Sequence, residues 1–123
     1  MTASNLLDLT TIQNLVELDD GGYGLLSEMI AIFRDDTPRR IRDILTAVEQ
    51  GKAEELSRAG HALKGGAGAL GAHAMKNLAA DLEVLGREGS TDAGQDLPQR
   101  MEALFRATLD ALEAYLADLQ AKN

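Results

Sequence analysis

The sequence predicts an all-α protein, an antiparallel four-helix bundle with up-down-up-down order and short N-terminal capping helices. Apolar residues recur every three or four positions through most of the 123-residue chain, the spacing of one face of a helix. The chain has only two prolines and 3% aromatic residues, so aliphatic side chains are expected to fill the core. No segment shows the strict alternation of a strand. The length fits one domain, residues 1–123.

Two short apolar segments come first, and both are expected to cap one end of the bundle. The first ends at the turn signal of residues 19–22. Its apolar residues are Leu9, Ile12, Leu15 and Val16. The second holds Leu25, Leu26, Met29, Ile30 and Phe33. It should stop before Pro38, because proline after a capping residue is typical of the first turn of a new helix.

Four helices of the bundle follow, with connections short enough to make neighbours antiparallel. The first begins near Pro38 and breaks at Gly51, and the second begins near Ala53 and ends at Gly71. The third covers about residues 72–86, and residues 89–94 form a polar loop. The last begins near Pro98 and carries an apolar stripe almost to the end of the sequence.

Composition and charge argue against several classes of function and of partner. A formal net charge of −8 argues against nucleic acid as a partner, because phosphate backbones require a cationic face. No apolar run approaches the ~20 residues of a membrane span, and the first five residues lack the basic region of a signal peptide. Cysteine is absent, which excludes disulfides and thiolate metal sites. We therefore expect a cytoplasmic monomer.

Residues 58–71 combine a helical apolar rhythm with five glycines. These are Gly60, Gly65, Gly66, Gly68 and Gly71. Glycine inside a helix costs roughly 0.5–1 kcal/mol relative to alanine. Folding alone gives no reason for such a cluster, so it indicates a need for close approach beside His61 and Lys64.

Helical geometry predicts that His61 faces solvent. At 100° per residue, the apolar stripe of this helix lies about 200° from His61. Lys64 lies about 60° to one side of His61, Gly65 about 40° to the other, and Gly68 about 20° away. These four residues should share one exposed surface, whereas Gly66 should lie nearer the core.

This surface suits phosphoryl transfer. An exposed imidazole, with a reference pKa of ~6.5, is a largely neutral nucleophile at neutral pH. Lys64 supplies a cation for an anion held on the ring, and Gly65 and Gly68 leave space for a partner. A metal site is not expected, because His61 and His73 are 12 positions apart. The glycines also lack the order of an ATP-binding loop, so we expect a phosphocarrier rather than a kinase.

The run Gly60-His61-Ala62-Leu63-Lys64-Gly65, followed by Leu70-Gly71-Ala72, resembles the signature of histidine-containing phosphotransfer (HPt) domains. The similarity extends to residues 33–38 and 82–87 and covers about residues 6–120. It implies a bundle whose exposed histidine exchanges a phosphoryl group with aspartates of receiver domains in a multistep phosphorelay.

Residue roles follow from the same resemblance. His61 would be the phosphoacceptor, through its distal ring nitrogen, and Lys64 would help to hold the phosphoryl oxygens. Gly65 would leave room for the receiver, and Glu83 matches a position whose polar side chain orients the imidazole in some members. Gly66 replaces a serine or alanine that is common after the Lys-Gly pair.

The resemblance implies no cofactor in this chain, and Mg²⁺ is expected on the partner receiver. Arg58 and Gly68 are expected to support the site from the same face. Two alternatives stay open: a non-catalytic helical adaptor that binds receivers by this face, and a direct substrate of a histidine kinase.

Overall fold

The computed structural model describes residues 3–122 and contains six α-helices. Their bounds are α1 Ala3–Leu6, α2 Leu9–Leu18, α3 Gly24–Glu49, α4 Ala53–Leu70, α5 His73–Arg87 and α6 Leu97–Ala121. The described residues contain no strand. Residues 1, 2 and 123 lie outside them, so the expectations for the extreme N-terminus and for a domain over residues 1–123 stay predictions.

Helices α3 to α6 form the four-helix bundle, which confirms the predicted fold class. Helix α4 packs against α3 and α5, and α6 closes the bundle against the same two neighbours. Helix α1 contacts α5 and α6, whereas α2 contacts α3 and α4. The largest fully buried side chains are Ile12, Leu26, Ile44, Leu56, Leu63, Leu70, Met75, Leu97, Met101, Thr108 and Leu112. The core is therefore almost entirely aliphatic, as the composition indicated.

The predicted break before Pro38 is wrong, because α3 runs through the proline from residue 24 to residue 49. Its buried positions keep one helical phase on both sides of Pro38. They are Leu26, Ile30, Phe33, Thr37, Ile41, Ile44 and Ala47. An interior proline costs about 3 kcal/mol, whereas burying one large apolar side chain contributes roughly 1.5–3 kcal/mol. The second segment is therefore half of a bundle helix, and the short N-terminal helices are α1 and α2.

Gly71 ends α4 as predicted. Its φ of 80° is left-handed, a conformation that glycine adopts without strain. A Cβ at this position would also lie 2.9 Å from the carbonyl oxygen of Asp8. The Gly71 carbonyl accepts a 2.8 Å hydrogen bond from the Asp8 amide. The end of α4 is thereby fixed against the start of α2.

Helices α4 and α5 approach so closely that their backbones touch at two glycines. A Cβ on Gly60 would lie 2.9 Å from the amide nitrogen of Glu83. A Cβ on Gly86 would lie 2.5 Å from the carbonyl oxygen of Ala53. The contact explains Gly60, and it places Glu83 beside the exposed face of α4.

Within residues 3–122, no helix has both the length and the apolar character needed to cross a membrane.

Candidate functional site

His61 lies on the outer face of α4, as its helical position predicted. Its side chain is 70% exposed, and its Nδ1 lies 2.6 Å from Oε2 of Glu83. Glu83 comes from α5, where the Gly60 contact holds the two backbones together. The site therefore depends on one exposed nucleophile and one partner supplied by the neighbouring helix.

The buried Glu83 carboxylate joins three basic side chains. Only 7% of the Glu83 side chain is exposed. Oε1 accepts a 2.5 Å hydrogen bond from Nζ of Lys64, and Oε2 lies 3.5 Å from a guanidinium nitrogen of Arg87. Since a buried charge must be paired to be tolerated, these contacts keep the carboxylate ionised and fixed in place.

The Glu83 bond determines which nitrogen of His61 is nucleophilic. An ionised carboxylate only accepts hydrogen bonds, so Nδ1 of His61 must carry the proton. In a neutral imidazole the other nitrogen, Nε2, then holds the free lone pair. The geometry thus supports the distal nitrogen as the one available to an electrophile.

Lys64 and His61 lower the pKa of Glu83. The hydrogen bond from Lys64 is the largest cause, burial acts in the opposite direction, and the hydrogen bond from His61 lowers the pKa further. Glu83 therefore remains a carboxylate at neutral pH and serves as a permanent acceptor for the imidazole.

The lowered pKa predicts a pH dependence of stability. Glu83 is more acidic in the folded protein than its ordinary value of 4.5, so it stabilises the fold above that pH. This contribution is lost as the pH falls through the lower, folded-state pKa. We expect the free energy of unfolding to fall more steeply below pH 4.5 in the wild type than in Glu83→Gln. Urea denaturation at a series of pH values measures this free energy of unfolding.

The matched control for that series is Glu88→Gln, which removes an exposed carboxylate at the end of α5. Its pH profile should follow the wild type. Parallel profiles for Glu83→Gln and the wild type would show that the Glu83 contacts contribute nothing to folding.

The glycines beside His61 differ in their surroundings. A Cβ on Gly65 would meet no heavy atom within 4 Å, so the surface there is open. At Gly68 the stem of Lys76 lies 3.3 Å from the Cβ position and covers part of that surface. Gly66 is exposed, which contradicts the prediction that it lies nearer the core. It lies about 60° from the centre of the apolar stripe, at the margin between α4 and α3.

A shallow groove between α3 and α4 lies beside these glycines, with a volume of about 160 Å³. Gly66 and Ala69 contribute the α4 wall, and Met29, Ile32 and Arg40 the α3 wall. Ile32 is 53% exposed, which is unusual for a large aliphatic side chain. The groove therefore adds apolar surface at the α3 side of α4, next to the face that carries His61.

Arg58 and His73 are not joined to Glu83 by any described ion pair. Arg58 pairs with Glu54 at 2.7 Å on the exposed surface of α4. His73 lies 3.2 Å from the side-chain amide of Asn77. No cluster of metal-ligating side chains occurs within residues 3–122.

The ion pair of Arg87 and the exposure of Ile32 were missed at the level of sequence. Arg87 follows Glu83 by four residues on the same helix face, a spacing that indicates a contact. Ile32 falls outside the buried stripe of α3, which could have marked it as exposed.

The Hpt domain family matches residues 28–122. Among solved structures, the chain is similar to histidine-containing phosphotransfer protein B (HptB) of Pseudomonas aeruginosa PAO1. That match has a TM-score of 0.76 and 25% identity, over 91% of this chain and 95% of that one. The histidine-containing phosphotransfer domain of ArcB from Escherichia coli has a TM-score of 0.71 and 18% identity, over 94% and 97%.

At that lower identity, the likeness to the ArcB domain shows the fold alone. No curated protein sequence matches the chain. The Hpt match nevertheless extends over most of the sequence, including α4 and α5 and the site between them. The chain therefore belongs to the Hpt domain family, whose function is histidine phosphotransfer in two-component phosphorelays.

Proposed function

We propose that His61 accepts a phosphoryl group from a receiver-domain aspartate and passes it to the aspartate of another receiver. One observation carries the proposal. The imidazole is 70% exposed, while its Nδ1 is held 2.6 Å from a buried carboxylate. A nucleophile that is both accessible and fixed in orientation meets the main requirement of phosphoryl transfer, which depends on positioning.

In the transfer step, the Nε2 lone pair of His61 forms a bond to phosphorus as the bond to the aspartate oxygen breaks. The electron pair of that bond leaves with the aspartate as a carboxylate. The Nδ1 proton stays in the hydrogen bond to Glu83, whose negative charge stabilises the ring as it becomes positive. Transfer to the next receiver reverses these steps.

Lys64 and Mg²⁺ have separate roles in this proposal. Lys64 lies one helical turn from His61 and supplies a cation to the phosphoryl oxygens. Mg²⁺ would be bound by the receiver, where it would supply positive charge to the transferred group. Arg58 and Gly68 contribute only to the surface around the ring. The chain acts as a phosphocarrier without a cofactor of its own.

The docking surface of a receiver would extend well beyond His61. An interface of the usual ~800 Å² per partner reaches roughly 16 Å from its centre. Ala69, in the α4 wall of the α3–α4 groove, lies about 12 Å along the helix from His61 and about 80° around it, so the interface would reach the near edge of this groove. Val84, adjacent to Glu83 in α5, is a further aliphatic side chain with 46% exposure. We propose that apolar receiver side chains contact Ile32 and Val84 on the two sides of His61.

The test is transfer of labelled phosphate from a phosphorylated receiver in the presence of Mg²⁺. We expect the wild-type chain to acquire acid-labile label and His61→Gln to acquire none, because glutamine lacks a nucleophilic nitrogen. His73→Gln, which removes the other histidine, should label like the wild type.

Three results would contradict or redirect the proposal. Wild-type labelling of His61→Gln would exclude His61 as the acceptor. Receiver binding without any phosphohistidine in the wild type would favour the adaptor alternative. Labelling by a histidine kinase but by no receiver would favour the direct-substrate alternative. A monomeric state and a cytoplasmic location stay predictions.

A further inference from the structure

Two cationic side chains contact Glu83, and they lie at different distances from it. Lys64 donates a 2.5 Å hydrogen bond to Oε1. Arg87 lies 3.5 Å from Oε2, in an ion pair that is too long for a strong hydrogen bond. The Arg87 side chain is also 65% exposed. Arg87 is therefore close to Glu83 but free to move nearer.

Phosphorylation of His61 creates a competition for Lys64. The phosphoryl group arrives on Nε2, whereas Glu83 is bound to Nδ1 on the other side of the ring. The phosphoryl group carries nearly two negative charges, whereas Glu83 carries one. Because the doubly charged group attracts an ammonium more strongly, Lys64 should move from Oε1 to the phosphoryl oxygens.

That movement would leave a buried carboxylate oxygen without its partner. Glu83 is 7% exposed, so water replaces the lost bond poorly. The free-energy cost of this unpaired oxygen would oppose the movement of Lys64 unless another donor takes its place. It would then also disfavour the phosphorylated state.

Arg87 is close enough to donate to Glu83 in place of Lys64. It lies one helical turn after Glu83, and its guanidinium presents a fork of donors that fits both oxygens of a carboxylate. Other nearby cations have different contacts. Arg58 pairs with Glu54 at 2.7 Å, and the stem of Lys76 packs over Gly68. Among the described residues, the ion pairs of Glu83 are those with His61, Lys64 and Arg87.

We propose that Arg87 is a positioning residue that replaces Lys64 as the counter-ion of Glu83 when His61 is phosphorylated. This inference rests on the proposed function of His61. It assigns no contact between Arg87 and the phosphoryl group. In the absence of Arg87, Glu83 retains Lys64, and the phosphoryl group loses its cation. The phosphoryl oxygens carry nearly two negative charges in phosphohistidine and about one in the metaphosphate-like group that departs. A cation beside them therefore stabilises phosphohistidine more than the transition state.

The test uses phosphoramidate, a small phosphoryl donor that needs no protein partner, with ¹⁵N-labelled protein. NMR follows the nitrogens of His61 before phosphorylation, and the loss of the ³¹P signal gives the lifetime of phosphohistidine. In Arg87→Ala we expect an unchanged His61 spectrum before phosphorylation, because Lys64 still holds Glu83. The lifetime of the phosphorylated form should fall about fivefold, the scale of one solvent-exposed ion pair.

Three variants separate positioning from general structure. Arg87→Lys should restore much of the lifetime, since it returns a cation to the same helix position. Arg106→Ala, which removes an exposed arginine of α6 that pairs with Glu102, should keep the wild-type lifetime. In a Lys64→Ala background no exchange takes place, so Arg87→Ala should change the His61 spectrum before phosphorylation and barely alter the lifetime further.

An unchanged lifetime in Arg87→Ala, with His61 normally phosphorylated, would overturn this inference and leave the proposed function intact. A changed His61 spectrum in Arg87→Ala before phosphorylation would likewise assign Arg87 a static role and overturn the exchange. If wild-type His61 acquired no phosphate from either phosphoramidate or a receiver, the proposed function would fail, and this inference with it.

Discussion

Replacing Gly65 with leucine should slow phosphoryl transfer from receivers about a hundredfold, the loss that a misplacement of roughly 1 Å between reacting groups can cause. The side chain would extend from a surface where no heavy atom lies within 4 Å of the Cβ position. It would project beside the imidazole, about 40° around the helix from His61. A receiver could then no longer bring its aspartate into line with Nε2.

The fold should survive this substitution, because leucine favours a helix over glycine by up to ~1 kcal/mol and its Cβ meets no other atom within 4 Å. Circular dichroism and thermal unfolding check this point. Phosphoramidate provides the control for chemistry, since a small donor can pass a leucine that blocks a protein. Equal slowing with phosphoramidate and with the receiver would contradict a role of Gly65 in partner access.

The outward direction of His61 could be predicted because it depends only on periodicity within one helix. Leu56, Leu63, Ala67 and Leu70 are buried, and they define the core side of α4 clearly. A nucleophile on the opposite side must be exposed, whatever helices complete the bundle. The resemblance to HPt domains then assigned chemistry to that position.

The path of α3 was mispredicted because local and tertiary signals disagree at Pro38. The dipeptide Thr37-Pro38 favours the start of a helix. The buried stripe, in contrast, continues from Phe33 through Thr37 to Ile41 with no change of phase. Packing of the whole stripe outweighs one missing hydrogen bond, so the longer pattern was the better guide here.

The partners within the site depend on the register between α4 and α5, which periodicity in either helix does not give. Resemblance indicated Glu83, and the spacing of four residues could have indicated its ion pair with Arg87. The contacts of Glu83 with His61 and Lys64, in contrast, become visible only when both helices are placed. The same applies to Gly60. The neighbour of Gly60 is the backbone of Glu83. Glu83 lies 22 residues after His61 in the sequence, on the next helix. One close contact between helices thus determines the geometry of the nucleophile.

The second large effect is expected at Gly86, where α5 meets the start of α4. An alanine Cβ would lie 2.5 Å from the carbonyl oxygen of Ala53 and 2.6 Å from the amide nitrogen of Ser57. Both neighbours are backbone atoms, so a side-chain rotation cannot relieve the overlap and the helices must separate. We expect Gly86→Ala to destabilise the fold by roughly 3 kcal/mol and to lower Tm by roughly 10 °C.

Gly66→Ala is the matched control, because it makes the same chemical change at a helix position without such a contact. The nearest atom to its Cβ would be Nε of Arg40, at 3.9 Å. Alanine should therefore raise stability by about 0.5–1 kcal/mol, through helix propensity alone. Thermal and urea unfolding of both variants measure the contrast, and effects of the same sign would contradict it. Separation of α5 from α4 should also move Glu83 away from His61, so Gly86→Ala should shift the Nδ1 resonance even at temperatures where it remains folded.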